Sequence, residues 1–215
     1  LSHHTALIIE RYFSPVDRQR GTGKSLLFTA RQLASRPLPA LDFSSHYTCP
    51  QQDAELSALP NVFSHEKLDI GTRFLLENLH RLRPAKRVAD LACGNGVLGI
   101  SAVRMGLASA LTCADESAMA LASARRNCEA ILGGNNTVRF HHGDGLIGLD
   151  KAFDLILCNP PFHLNHTVDD FAGRRLFRQC ADALNPEGEL VLVANSHLDY
   201  RAPLQKCFGR VEEVA

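Results

Sequence analysis

The chain has 215 residues, 45% of them hydrophobic and 21% charged, and its 23 Lys and Arg balance 23 Asp and Glu. These are the proportions of a globular protein with room for one sizeable domain and an appendage. No apolar run reaches the ~18 residues that a membrane-crossing helix needs, and Leu1-Ser-His-His-Thr5 has no signal-peptide shape, so a cytoplasmic location is expected. There is no initiator Met, which points to a fragment or a trimmed chain. The seven cysteines are an odd number without a C-x-x-C pair, and several lie in apolar runs. They read as small buried hydrophobes in a reducing compartment, not as disulfides or metal ligands. Charge is uneven along the chain. Residues 1–40 carry six Lys or Arg against Glu10 and Asp17, a net of +4, whereas residues 88–215 carry eleven basic and fifteen acidic side chains, a net of −4. The basic segment suits contact with a phosphate backbone or an ordinary solvated face.

In chain order, residues 3–13 predict a helix, Arg18 to Ser25 a polar turn and Leu26 to Thr29 a short strand. Gly23-Lys24-Ser25 hints at a phosphate loop, but the earlier glycine such a loop requires would fall at Arg18, which rules it out. Arg36-Pro-Leu-Pro39 breaks structure. Residues 41–62, with Phe43 and Tyr47 in a polar setting, predict a hairpin or loop. Leu68 to Leu82 predicts a helix with apolar positions Ile70, Phe74, Leu75 and Leu79.

From Arg87 onward strands and helices alternate. A strand at 87–91 leads to a helix at 97–105, and a strand at 109–114 ends at Asp115. A helix runs from Ser117, as its cap, to Leu132. A strand at 137–141 meets Gly143-Asp144-Gly145, and a strand at 153–158 meets Asn159. A helix at 170–184 is followed by a turn at Asn185-Pro-Glu-Gly188, a strand at 189–194, a helix at 199–207 and a short strand at 210–214. Repeated βα units predict an α/β fold with a doubly wound, mostly parallel sheet and helices on both faces. The expected division is 1–40 as an N-terminal piece, 41–60 as a linker or hairpin and 61–215 as the catalytic domain.

Asn159-Pro160-Pro161-Phe162 is the most informative motif. It follows the buried-strand run Phe153–Cys158, at the sheet edge where parallel sheets bind ligands. An Asn carboxamide oxygen and a Pro carbonyl both accept hydrogen bonds from an exocyclic amine. Phe162 offers a stacking face for a base. A proline-rich turn is the plainer alternative.

A second motif runs from Val88 to Gly99. Gly94, Gly96 and Gly99 match G-x-G-x-x-G, with Asp115 following 21 residues after Gly94. This spacing also fits a nicotinamide-dinucleotide site. Asp90 discriminates, because a carboxylate just before the turn would repel a pyrophosphate and suits a cation such as S-adenosylmethionine. Cys93, inside the loop, reads as packing rather than as a nucleophile, since no activating base is near in sequence. Asp90, Asp115 and Asp144 each end an apolar run and should share one sheet edge. Asp115 suits two ribose hydroxyls and Asp144 an adenine amine, with a turn aspartate as the alternative for Asp144. Glu116 is either a second ribose contact or a helix-entry acid.

Asp90-Leu-Ala92-Cys-Gly94-Asn95-Gly96, Asp115-Glu116-Ser117 and Asn159-Pro-Pro-Phe-His163 together resemble class I adenosylmethionine-dependent methyltransferases. More narrowly they resemble the bacterial ribosomal RNA guanine-N2 methyltransferases, and the large-subunit members more than the small-subunit ones. The resemblance extends from Asn61-Val-Phe-Ser-His-Glu-Lys-Leu-Asp-Ile-Gly71 through Val193-Ala-Asn-Ser-His197-Leu-Asp-Tyr200. It implies S-adenosylmethionine as cofactor, ribosomal RNA as partner and no metal. The implied cofactor site comprises Phe63, Asp69, Asp90, Ala92, Gly94, Asn95, Gly96, Asp115, Glu116, Ser117, Asp144, Gly145 and Asn159. Phe63, Ser64 and Asp69 would form a lid, or else a helix entry with its cap and staple. The implied catalytic set is Asn159, Pro160, Phe162 and His163, with His197 and Tyr200 bordering the pocket. The resemblance further implies that residues 1–40 are the tail of an RNA-holding domain and that a closing antiparallel strand lies beyond Ala215.

The expected chemistry is methyl transfer to guanine N2 in an unpaired or flipped base. The competing readings are methylation of another amine (small-subunit guanine N2, adenine N6, protein glutamine), an NAD-dependent oxidoreductase, and a non-catalytic RNA-binding module.

Overall fold

The structure, a computed structural model, describes residues 3–20, 26–31, 43–50, 53–133, 137–150, 153–160, 169–194 and 200–214. The chain divides into two units, 1–42 and 43–215. In the first, helix α1 (His3–Tyr12) precedes the antiparallel strands β1 (Val16–Arg20) and β2 (Leu26–Ala30). The polar turn expected over Arg18 to Ser25 does not include Arg18 to Arg20, because Val16 to Arg20 is paired with Leu26 to Ala30; the rest of it lies outside the described residues. Strand pairing uses backbone groups, so a run as polar as Val-Asp-Arg-Gln-Arg can join a two-stranded ribbon whose side chains face water. Asp17 and Arg31 form an exposed ion pair at 3.2 Å across it.

The second unit opens with an antiparallel hairpin, β3 (Ser45–Cys49) and β4 (Ala54–Ala58). Helix α2 (Ile70–Asn78) follows and tightens into a 3-10 turn at Leu79–Arg81. Its start is set by Asp69, which stands in extended conformation and caps the Thr72 N–H. The turn stops at Leu82, which is extended, just before Arg83 and Pro84, where helix is disfavoured. The buried face is Thr72, Leu75, Leu76 and Leu79, an i, i+3, i+4, i+7 stripe, whereas Ile70 is 82% and Phe74 41% exposed. The apolar stripe read from sequence was thus rotated, because a polar residue, Thr72, holds a core position.

The sheet consists of β5 (Ala85–Leu91), β6 (Ala108–Asp115), β7 (Thr137–His142), β8 (Phe153–Cys158) and β9 (Leu184–Leu192) in the order β7-β6-β5-β8-β9, every pairing parallel. Strand alternation assigns the two faces. Val88, Leu111, Leu155 and Leu157 pack with α2, α3 (Val97–Arg104) and α4 (Ala118–Leu132). Ala89, Leu91, Ile156 and Cys158 pack with α5 (Asp169–Ala183) through Cys180 and Ala183. Each large aliphatic side chain buried in this way stabilises the fold by about 1.5–3 kcal/mol.

The doubly wound α/β architecture is as expected, with three differences at the C-terminal end. Asn185-Pro-Glu-Gly188 does not separate helix from strand. It lies inside β9 as an irregularity, where the register jumps from Phe153↔Leu184 to Leu155↔Glu189. The extra residues leave the ladder and the strand continues, as in a bulge, so turn-forming residues need not end a strand. Gly188 sits there because a Cβ would lie 3.0 Å from the Phe153 carbonyl oxygen. Residues 210–214 form no strand, since Arg210-Val-Glu-Glu-Val pairs with no strand among the described residues and Val214 is 61% exposed. Only a short helix, α6 (Arg201–Gln205), forms within 199–207.

The hairpin is fastened to α4 by Asn127, whose Oδ1 accepts from the Ser57 N–H at 2.9 Å and whose Nδ2 donates to the Ser57 carbonyl at 2.8 Å. Asn127 Nδ2 also reaches the Asn95 carbonyl at 2.9 Å, and Asn95 Nδ2 donates to the Tyr47 hydroxyl at 2.8 Å. One buried polar chain therefore links the hairpin to the glycine-rich loop after β5. Among the described residues no helix is long and apolar enough to cross a membrane.

Candidate active site

The loop after β5 is shaped by backbone conformations that few residues adopt. Ala92, Gly94 and Gly96 all have positive φ, at 56°, 54° and 83°. A Cβ at Gly96 would press on Ala124 at 3.1 Å, so glycine there lets α4 approach. At Gly99 a Cβ would stand 2.7 Å from a Leu111 methyl and 3.1 Å from Asp90 Cβ, so α3 rests directly on the sheet. At Gly94 the nearest atom would be the Phe63 carbonyl oxygen, at 4.0 Å. The bare face of Gly94 thus looks into a cleft, walled by Ala92, Asn95, Phe63, Tyr47, Thr72 and Asn159.

The acidic residues at the strand ends have distinct surroundings. Asp90 is fully buried beneath the loop. Its Oδ2 accepts from the Gly99 N–H at 2.8 Å, and its Oδ1 is buried without a hydrogen-bond partner among the described residues. Burial pushes its carboxyl up to about 8, against the Gly99 hydrogen bond and with help from the nearby Asp115 charge. The open, ionised carboxylate expected at the mouth of the turn is therefore a buried acid under it. Asp115, half-buried, braces the loop: Oδ2 accepts from the Gly94 N–H at 2.9 Å and Oδ1 from the Ser117 N–H at 2.8 Å. Each oxygen keeps a second lone pair for a ligand hydroxyl. Ser117 caps α4 by accepting from the Ala120 N–H. Glu116 is exposed, and its carbonyl oxygen meets a ring nitrogen of His142 at 3.0 Å. Asp144 is exposed and ion-paired with Arg175 of α5, so the carboxylate expected to be open to an adenine amine already has a cationic partner. Gly145 has positive φ, and Gln179 fills the space a side chain would need.

Asn159 stands at the C-terminal end of β8, next in the sheet to β5 and its loop, with Pro160 buried behind it. Its Nδ2 donates to Asp69 Oδ2 at 2.9 Å and to Thr72 Oγ1 at 2.8 Å. A carboxylate only accepts, so the edge of the amide facing Asp69 is its NH2. Both amide protons are used inside the protein, and the carbonyl oxygen is the edge left for a ligand. Asp69, expected as part of a lid over the cofactor or as a helix cap, caps α2 and accepts from Asn159 Nδ2. Phe162, His163 and His197 lie outside the described residues. Tyr200 is buried and packs edge-on against Phe177 at 5.4 Å.

Cys93 is buried in the loop. Contact with Cys113 lowers its thiol, but burial and the Asp90 and Asp115 charges leave it above the ordinary range, which fits packing rather than nucleophilic chemistry. Sequence reasoning missed Thr72, Tyr47 and Asn127. The Asp69-x-x-Thr72 spacing of a capped helix start was the signal for the first. The other two act through contacts 48 and 70 residues away, for which sequence has no local sign.

A family model, the methyltransferase small domain, matches residues 53–215. Among similar proteins are those of Pseudomonas paraeruginosa and Pseudomonas aeruginosa, each named ribosomal RNA large subunit methyltransferase G. Each is 44% identical over 209 residues, which are 97% of this chain and 55% of the relative. The chain thus spans about half the length of the curated relatives it matches. Among solved structures, a T. thermophilus 16S rRNA N2 methyltransferase in complex with AdoMet and guanosine superposes with a TM-score of 0.75 at 25% identity, covering 95% of this chain and 56% of that one. An Agrobacterium tumefaciens SAM-dependent methyltransferase, at 20% identity and a TM-score of 0.59, shares the fold; the match covers 87% of this chain and 63% of that one.

Proposed function

The chain belongs to the methyltransferase small domain family, and from that premise we propose that it carries the catalytic site of an S-adenosylmethionine-dependent methyltransferase acting on the exocyclic N2 amine of a guanine in large-subunit ribosomal RNA. The names of the Pseudomonas relatives support the substrate, and the AdoMet and guanosine of the T. thermophilus structure support the cofactor and the base. The observation that carries the reading is the Asn159 amide, held with its carbonyl as the available edge beside a glycine loop whose bare face opens on a cleft.

The residues present fit the cofactor. The cradle at Gly94 has room that a Cβ would occupy, and Asp90 holds a buried oxygen without a partner among the described residues. Ala92, Gly94, Asn95 and Gly96 would hold the amino-acid end, with Phe63 closing over it. Asp115 would take the ribose hydroxyls, with Glu116 and Ser117 beside it, and Asp144 and Gly145 would border the adenine. Adenosylmethionine, when bound, supplies a methyl group whose bond to sulfur breaks with the electron pair remaining on sulfur as N2 attacks.

The guanine amine is a poor nucleophile because its lone pair is delocalised into the ring. Asn159 Oδ1 and the Pro160 carbonyl accept its two N–H bonds, which turns the lone pair toward the methyl carbon and stabilises the positive charge growing on nitrogen. The surplus proton leaves to water after the C–N bond forms, so no strong base is required. Phe162 stacks on the base and His163 contacts the base or its phosphate. The guanine must be unpaired or flipped from its helix to reach them. Residues 1–40, net basic, serve RNA contact.

The test is nucleoside mass analysis of large-subunit RNA from a deletion strain, treated with the complete protein and labelled adenosylmethionine. Label in N2-methylguanosine is the expected result. Label in another nucleoside or in protein glutamine overturns the substrate, and calorimetric binding of NAD in preference to adenosylmethionine overturns the reaction class.

A further inference from the structure

An Asn side chain presents either edge of its amide to a ligand, and the two edges are opposite in kind. One offers two donors, the other an acceptor. An incoming NH2 group is a donor, so a carboxamide free to rotate would meet it with its own NH2 part of the time. Nothing in Asn159-Pro-Pro-Phe itself settles which edge faces outward. In the fold the choice is made by α2, 87 and 90 residues away in sequence. Asp69 Oδ2 takes one contact from Asn159 Nδ2 at 2.9 Å, and Thr72 Oγ1 takes another at 2.8 Å. The same Asp69 oxygen accepts from the Thr72 N–H at 3.0 Å, so the cap of α2 and the restraint on Asn159 share one atom.

Two further features fit a clamp. Thr72 is buried in the apolar face of α2, where a hydroxyl is disfavoured unless it has a partner. Gly71 carries no side chain where a Cβ would sit 3.1 Å from Asp69 Oδ2, 3.3 Å from Val193 Cγ1 and 3.5 Å from Asn159 Oδ1. The space beside the amide is thereby left clear.

We infer that Asp69 and Thr72 are positioning residues: they lock the Asn159 carboxamide with its carbonyl facing the substrate, and so make the site selective for a hydrogen-bond-donating amine. This rests on the methyl-transfer reading above. Loss of the lock removes no hydrogen bond from the glycine loop, although Thr72 walls the cleft beside it, so the loss of rate has to exceed any loss of cofactor affinity. It misorients the one acceptor that the reacting amine needs, so the effect belongs in kcat rather than in cofactor affinity.

The experiment compares Asp69→Ser, Thr72→Val and Thr72→Ser in the complete protein. Serine at 69 still caps α2, but its hydroxyl donates as well as accepts and so no longer dictates which edge of the Asn159 amide faces it. Valine at 72 keeps shape and removes the hydroxyl, and serine restores it. Single-turnover methyl transfer to guanine, adenosylmethionine affinity by calorimetry and melting temperature are measured for each. Asp69→Ser and Thr72→Val are expected to lower kcat by about tenfold or more, with cofactor Kd within about threefold of wild type, and Thr72→Ser to recover most of the rate. Unchanged kcat in both variants overturns the clamp, as does a rate loss matched by an equal loss of cofactor affinity. If melting drops in either variant, Gly71→Ala, which adds a helix-favouring methyl against the clamp, is the second probe; an unchanged rate there also overturns it. Wild-type protein that forms no N2-methylguanosine defeats the functional reading itself, a result separable from an active wild type with indifferent variants.

Discussion

Two neighbouring loops build the cleft, and they are held in opposite ways. The glycine bend after β5 is braced from within its own βαβ stretch: Asp90 takes the Gly99 N–H, nine residues on, and Asp115 the Gly94 N–H, 21 residues back, while only Asn95 is held from further away, by Asn127 and Tyr47. Three left-handed backbone positions within five residues complete it. Asn159, after β8, depends on Asp69 and Thr72, which reach it only because α2 folds back over the sheet. The bend of a glycine loop can be written as a local motif. The polarity of a catalytic amide is set by whatever the tertiary fold places behind it.

The sharpest separation of the two loops is Asn159→Ala. Removing the acceptor should slow methyl transfer by ~10²–10³-fold, as removal of a charge-stabilising group at a reacting centre does, while calorimetry finds adenosylmethionine affinity nearly unchanged. Equal losses in both would move Asn159 to the cofactor side of the comparison.

The next largest effect concerns the buried brace of the first loop. Asp90 in the folded chain titrates at about 8, above the ordinary carboxylate value of 3.8. Between these values the native state holds a proton that the unfolded state has lost. The contribution of Asp90 is therefore fully present below about pH 4 and lost as pH rises through about 8, a change on the order of a few kcal/mol. Urea midpoints should fall from pH 5 to pH 8 in wild type. Asp90→Asn, which keeps an acceptor for Gly99, should flatten that slope, and a slope that persists would place its source elsewhere.

Gly99→Ala tests the packing under the same loop. The added methyl would stand 2.7 Å from Leu111 in a filled core, and overpacking of this kind costs about 1–3 kcal/mol in denaturant unfolding. An unaltered midpoint would mean that α3 can lift from the sheet without penalty. The smallest effect is expected for Tyr47→Phe, which leaves Asn95 Nδ2 without its 2.8 Å partner. The loss should be about 1 kcal/mol in stability. Because Asn95 walls the cleft, cofactor binding should weaken by a few-fold in calorimetry.

Much of this architecture was legible in the chain. The run Phe153–Cys158 reads as a buried strand because five of its six side chains are apolar, and it is one. The turn around Gly94 and Gly96 reads as a glycine loop because few other residues tolerate its dihedrals. Legibility failed where a residue served something distant. Thr72 occupies a core position as a polar group, so the apolar pattern of α2 was right for Leu75 and Leu79, which are buried, and wrong for Ile70 and Phe74, which are exposed. Asn185 to Gly188 carries turn residues yet bulges within β9, since the neighbouring strand supplies a ladder on either side.

Amino-acid order alone determined the alternation of strands and helices, the glycine bend and the placement of Asn159 at a strand end. These follow from side-chain period and backbone sterics over a few residues. Tertiary structure alone decided that Asp90 is a buried acid, that Asp144 pairs with Arg175, and that the Asn159 amide turns its NH2 to Asp69 and Thr72. Each of those depends on solvent exclusion or on a partner brought from a distant segment, and neither is encoded in the residues on either side.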